Sequence, residues 1–146
     1  MILYNEKFAK PGLKIIASLR EHGLISKTQF DDQIEWTWFY LWNHEGRRAR
    51  MGASMMAPDY AHWHGMYEVA ERFYIELIPE ARHLAEDASG DGRVDVAAAV
   101  HAVIDQILAR PEHKWMVEGA EVDTQRVWEG MQQRYGKVET QPAGNE

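Results

Sequence analysis

Between Trp36 and Trp42 the chain reads Trp-Thr-Trp-Phe-Tyr-Leu-Trp. Wound into a helix, this run is apolar on nearly every side, so it cannot rest with one face in water and must be covered from more than one direction. That requirement selects a packed set of helices, and the rest of the chain supplies them. After Lys10-Pro11-Gly12, the residues Leu13, Ile15, Ile16 and Leu19 recur at helical spacing and stop at Gly23. Ser26-Lys27-Thr28-Gln29 reads as a capping box, which predicts a long helix opening there with Phe30, Ile34, Trp38 and Leu41 as its core stripe. Ala57-Pro58 ends it, because a proline disfavours a helical residue before it. Asp59 is expected to cap the next helix, which carries Val69, Phe73, Leu77 and Leu84 inward and should kink at Pro79. Ser89-Gly90-Asp91-Gly92 is a turn, and Val94, Ala97, Val100, Ile104 and Leu108 then line a helix that ends before Pro111. A last helical stretch, residues 121–136, carries Val127, Trp128 and Met131. With no alternation long enough for a strand, the expected class is all-α, a bundle of long helices forming one domain over residues 1–136. The polar segment 137–146, punctuated by Pro and Gly, reads as a disordered tail.

Composition narrows the partners. In 146 residues, 23 acidic side chains outweigh 16 basic ones, so a phosphate backbone would meet mostly repulsion and nucleic acid is not expected. No apolar stretch reaches the length of a membrane span, and the opening residues lack the apolar core of a secretory signal. There is no cysteine, which excludes disulfides, thiolate metal sites and thioether attachment of haem.

Three groups of residues invite chemistry. In Pro58-Asp59-Tyr60-Ala61-His62-Trp63-His64-Gly65, the two histidines stand two positions apart on a helix and cannot chelate one ion from a shared face. His64 shares its face with Tyr60, Tyr67 and Glu68, which suits an apolar or planar partner; a buried pair satisfied by carbonyls is the plainer alternative. His44 follows the aromatic run, where a neutral imidazole could ligate haem while Arg47, Arg48 and Arg50 meet carboxylates. The plainer version is a packed aromatic face with solvated arginines. Finally, Asp87, Ser89, Asp91, Arg93 and Asp95 fall at positions 1, 3, 5, 7 and 9 of a calcium loop, with Gly92 at the turn. Ala98 at the twelfth position removes the bidentate carboxylate, so an interhelical turn is the competing reading. Glu80 and His83 make a single Glu-x-x-His, where a di-iron bundle needs two.

Residues 8–20 (FAKPGLKIIASLR), 35–53 (EWTWFYLWNHEGRRARMGA) and 58–81 (PDYAHWHGMYEVAERFYIELIPEA) together resemble the C-terminal helical portion of multihaem hydroxylamine oxidoreductases and their hydrazine dehydrogenase relatives. The resemblance implies helices that pack enzyme subunits together and an extracytoplasmic compartment, periplasm-like or the anammoxosome. It further implies a tyrosine that bonds the catalytic haem of a neighbouring chain. Tyr60 matches that tyrosine, and His44 with His62 or His64 would contact haem c of a partner. Lacking cysteine, this chain departs from the family in being unable to hold such haems itself.

Three functions follow as expectations. The first is a non-catalytic accessory or assembly subunit, with Trp36, Phe39, Trp42, Trp63 and Tyr67 facing the multihaem oxidoreductase or a second copy of the chain. The second is the C-terminal piece of a split oxidoreductase, with Tyr60 acting on the haem of the other piece. The third is a helical protein that binds haem non-covalently through His44 or His64.

Overall fold

A computed structural model describes residues 4–114, 116 and 132–133. Four helices account for nearly all of it, as the apolar spacing requires. Helix α1 covers residues 5–21, α2 residues 33–54, α3 residues 58–90 and α4 residues 94–108. The expectations for Val127, Trp128, Met131 and the tail lie outside the described residues.

Neighbouring helices run antiparallel. Tyr4, just before α1, donates its hydroxyl to the Trp42 carbonyl, while Arg20 near the end of α1 pairs with Glu35 at the start of α2. Along α2 and α3 the pairs Arg48–Glu68, Glu45–Arg72 and Thr37–Glu80 follow in opposite chain directions. Arg82 meets Asp105 across α3 and α4 at 2.8 Å, and Arg93 donates to the His22 carbonyl, which returns α4 to the end of α1. The result is an up-down-up-down bundle. Its core takes Ile15, Ile16 and Leu19 from α1, Ile34 and Leu41 from α2, Val69, Phe73 and Leu77 from α3, and Val100, Ile104 and Ile107 from α4, all at most 2% exposed.

Helix α2 begins at Gln33, not at Ser26 as the capping box implies. Ser26 Oγ accepts from the Thr28 amide, and the Ser26 amide donates to Asp32, so these side chains close a loop instead of a helical turn. Phe30 leaves the core stripe for the same reason. It adopts a left-handed backbone, φ 63°, and stacks outward on Trp36 at 4.9 Å, whose indole donates to the Phe30 carbonyl. Asp59 is not the cap of α3; Ala57 occupies that position in an extended conformation and Pro58 opens the helix.

Pro79, where a kink was expected, lies within α3. The helix runs through it, and the π-helical turn Arg72–Leu77 lies immediately before, holding the carbonyl of Ile75 that the proline ring would crowd. Comparable π-helical turns occur at Asn5–Ala9, Tyr40–Glu45 and His62–Tyr67. Each adds a residue to a turn and so rotates the downstream faces by roughly 100° relative to an ideal helix.

The two longest helices meet in a hairpin, 46–71, whose end projects past the start of α1. Two glycines allow its close approach. A Cβ on Gly52 would lie 2.5 Å from the Ala61 nitrogen, and one on Gly65 would lie 2.6 Å from the Ala49 Cα and 2.5 Å from the Tyr60 carbonyl oxygen. Backbone thus packs on backbone, and larger side chains are forced outward around the tip.

Candidate functional site

That outward displacement builds the site. On α3, Tyr60, Trp63 and Tyr67 are 55%, 63% and 54% exposed, although each carries a large apolar ring. Trp63 and Tyr67 face one another at 5.8 Å, and Tyr67 reaches Glu71 at 3.5 Å. Tyr60 meets His64 at 5.6 Å, and His64 Nδ1 lies 3.1 Å from Glu68. Glu68 in turn accepts from Arg48 at 3.0 Å. The expected sharing of a face by Tyr60, His64 and Glu68 is therefore what the helix presents, while Tyr67 turns toward Trp63 across the π-helical turn.

Arg47, Arg48 and Met51 from α2 and Met55 just after it wall, with Ala57 and Tyr60, a hollow of about 350 Å³. The methionines at the turn are strongly exposed, and Met56 has the left-handed backbone φ 53°. The Met55-Met56 pair was not singled out by its sequence pattern, because a left-handed methionine has no sequence signature.

Of the four residues considered for haem, Tyr60 and His64 adjoin, whereas His62 and His44 lie apart from them. His62 faces the opposite side of the hairpin, in a hollow with Tyr4, Ala49, Arg50 and Met66. His44 sits beside Tyr40, ring centroids 5.8 Å apart, and 3.5 Å from Glu45. Glu45 is buried and held by Arg72 through Nε at 3.1 Å and Nη2 at 3.0 Å, so its charge is already matched.

The aromatic run divides its roles. Trp42 packs half-buried against the core and against Trp38 at 5.6 Å, whereas Trp36 and Phe39 form a cluster with Phe30 and Tyr40. Trp42, expected in an interface, thus also finds neighbours within its own chain. Its neighbour Trp38 is in turn packed by α1, since Gly12 has no Cβ and one built there would lie 2.9 Å from the Trp38 indole ring. Trp36 and Phe39 are likewise engaged by the loop before α2.

Asp87, Ser89, Asp91, Arg93 and Asp95 do not form a twelve-residue loop. Helix α3 continues to Gly90, α4 starts at Val94, and between them lies a tight turn with Gly92 at φ 83°. Asp87 and Ser89 accept the backbone amides of Asp91 and Gly92 through their carbonyls, as helix-end residues do. No group of three His, Cys, Asp or Glu side chains placed to hold a metal occurs among the described residues. Glu80 and His83 part company too: Glu80 accepts from Thr37 at 3.0 Å and His83 pairs with Asp87 at 3.7 Å.

Two buried groups escaped sequence reasoning. His113, fully buried, stacks on Phe73 and lies 2.6 Å from the Tyr74 hydroxyl. Burial holds its pKa below the ordinary 6.5, against the opposing pull of Glu112. Burial likewise raises the Tyr4 hydroxyl above its usual range, opposed by Arg50 beside it. Within the described residues no helix is long and apolar enough to cross a membrane. No protein-family model, curated protein or solved structure matches the chain.

Proposed function

We propose that the chain is a non-catalytic docking subunit that uses the projecting end of the α2–α3 hairpin to bind another protein. One observation carries this reading: Tyr60, Trp63 and Tyr67 occupy the same stretch of α3 with more than half of each in water, while the bundle fills its core without them. Aromatic side chains beside arginine are the residues that anchor protein interfaces, because they remove much apolar area from water at little cost in rotamer freedom. The partner indicated by the resemblance of residues 8–81 is a multihaem oxidoreductase of the hydroxylamine or hydrazine type. Such a partner places the chain in an extracytoplasmic compartment, as an accessory or assembly subunit that imitates the partner's C-terminal helices.

The test is native mass spectrometry of this chain mixed with a purified multihaem oxidoreductase of that type. A complex is expected. Trp63→Ala should weaken it by about 2 kcal/mol or more, roughly thirtyfold, with an unchanged far-ultraviolet circular dichroism spectrum. A complex that survives removal of both Trp63 and Tyr67 would place the interface elsewhere, and the absence of any complex would remove the proposed partner.

A second reading has one observation in its favour. Tyr60 is exposed beside His64, with its ring free to approach a haem held by another chain. In a split oxidoreductase this chain would complete a partner that lacks the C-terminal helices, and Tyr60 would carry the haem bond. An accessory subunit instead binds a partner that already has those helices. Comparing binding to the partner with and without them separates the two.

A further inference from the structure

The hollow beside Tyr60 is distinct from the aromatic edge formed by Trp63 and Tyr67. It lies between α2 and the start of α3, encloses about 350 Å³, and is walled by Met51, Met55, Ala57 and Tyr60. At the roughly 30 Å³ that a water-sized group occupies in a liquid, it accommodates about a dozen non-hydrogen atoms. Methionine thioethers suit such a wall, since they adapt to the outline of an apolar guest.

Two cationic side chains border it. The surface of the hollow is almost wholly apolar, so Arg47 and Arg48 line it with their hydrocarbon stems and carry their guanidinium groups outside it; that of Arg48 is paired with Glu68, whereas Arg47 takes part in no ion pair among the described residues. Two guanidinium groups with one carboxylate leave a positive excess beside an apolar hollow, on a chain whose net charge is −7. The turn adds a second sign of a built site. Met56 holds a left-handed backbone, which a side chain enters at a steric cost, and Ala57 follows in an extended conformation. Met55, just before them, lines the hollow.

We infer that this hollow binds an apolar carboxylate. The ligand is a molecule of about a dozen non-hydrogen atoms whose hydrocarbon or aryl body lies against Met51, Met55 and Tyr60 and whose carboxylate accepts from Arg47 and Arg48. A guanidinium fork matches a carboxylate with two parallel hydrogen bonds, so the anion is recognised by shape as well as by charge. A neutral analogue of equal length keeps the apolar contacts and loses the charged ones. A cationic analogue is repelled.

Decanoate is the probe, added to the full chain and followed by titration calorimetry and by amide nuclear magnetic resonance. Saturable binding at one site is expected, with the shifts centred on the amides of Gly52, Met55, Ala57 and Tyr60. Decanol should bind about tenfold more weakly or worse, and Arg47→Glu should lower decanoate affinity by a similar factor while leaving decanol unaffected. An aryl probe, 4-butylbenzoate, distinguishes a preference for rings from one for chains. Equal affinity for decanoate and decanol would reduce the hollow to an apolar patch and overturn the assignment. So would shifts centred on Leu13 and Trp38, or no saturable binding by either carboxylate below its micelle concentration. Because Trp63 does not line the hollow, Trp63→Ala should leave decanoate binding intact, so loss of docking and loss of ligand binding are read separately.

Discussion

At pH 7 His113 sits neutral between Phe73, Phe8 and Tyr74, out of contact with water. In the unfolded chain the same imidazole is hydrated and takes up a proton near its ordinary 6.5, whereas burial holds the folded value lower. Below that pH the unfolded state therefore binds more protons, and the stability present above 6.5 is lost as the pH falls toward the folded value. Glu80 acts oppositely, since burial raises its pKa and acid relieves the cost of its charge. The expected outcome is a difference between proteins: between pH 7 and 5 the melting temperature of the native chain falls relative to that of His113→Gln. Parallel pH profiles for the two would mean that His113 does not titrate on unfolding in this range.

The α2–α3 hairpin depends on the absence of two side chains. At Gly65 an added methyl group would meet backbone on both sides, the Tyr60 carbonyl within α3 and the Ala49 Cα across the interface, so neither neighbour can rotate away. Gly65→Ala should therefore force the helices apart and destabilise the fold by about 1–3 kcal/mol, the usual range for overpacking. Denaturant unfolding gives the value, and a variant as stable as the native chain would mean that the hairpin has room to spare. Gly90 is the control, because a Cβ there meets nothing within 4 Å. The same hairpin carries the π-helical turn His62–Tyr67, so widening it should also disturb the spacing of Tyr60, Trp63 and Tyr67.

For the molecule as a whole, the decisive chemistry is one it lacks. Without cysteine no thioether bond to haem can form, and His44, His62 and His64 point into three different surroundings. The purified chain is accordingly expected to be colourless, with no Soret absorbance after haem is added and excess removed on a desalting column. Retained absorbance would support non-covalent haem binding. A haem-bearing tryptic peptide containing Tyr60, recovered from the chain after assembly with its partner, would instead support the split-enzyme reading.

Much of the fold was legible from residue spacing. The alternation of apolar positions placed Ile15, Ile16 and Leu19, then Val69, Phe73 and Leu77, then Val100 and Ile104 on buried faces, and the breaks at Gly23, Ala57-Pro58 and Gly92 fall between helices. Periodicity suffices there because an apolar stripe has only one place to go in water. It fails where the backbone itself departs from 3.6 residues per turn. The π-helical turns at Tyr40–Glu45 and His62–Tyr67 rotate the faces that follow them, and a sequence pattern read at constant pitch cannot register the extra residue. The start of α2 was misplaced because Ser26 and Asp32 can cap a helix or close a loop with the same oxygen atoms, and the packing of Phe30 on Trp36 selects the loop. The site belongs to the same class. That helical aromatics exist, and that no haem can be held through cysteine, are properties of the sequence alone. Which aromatics are left in water was decided by tertiary packing: α1 settles on Trp38 at Gly12, Trp42 packs half-buried against the core beside it, and the close backbone approach of α2 to α3 at Gly52 and Gly65 leaves Trp63 outside.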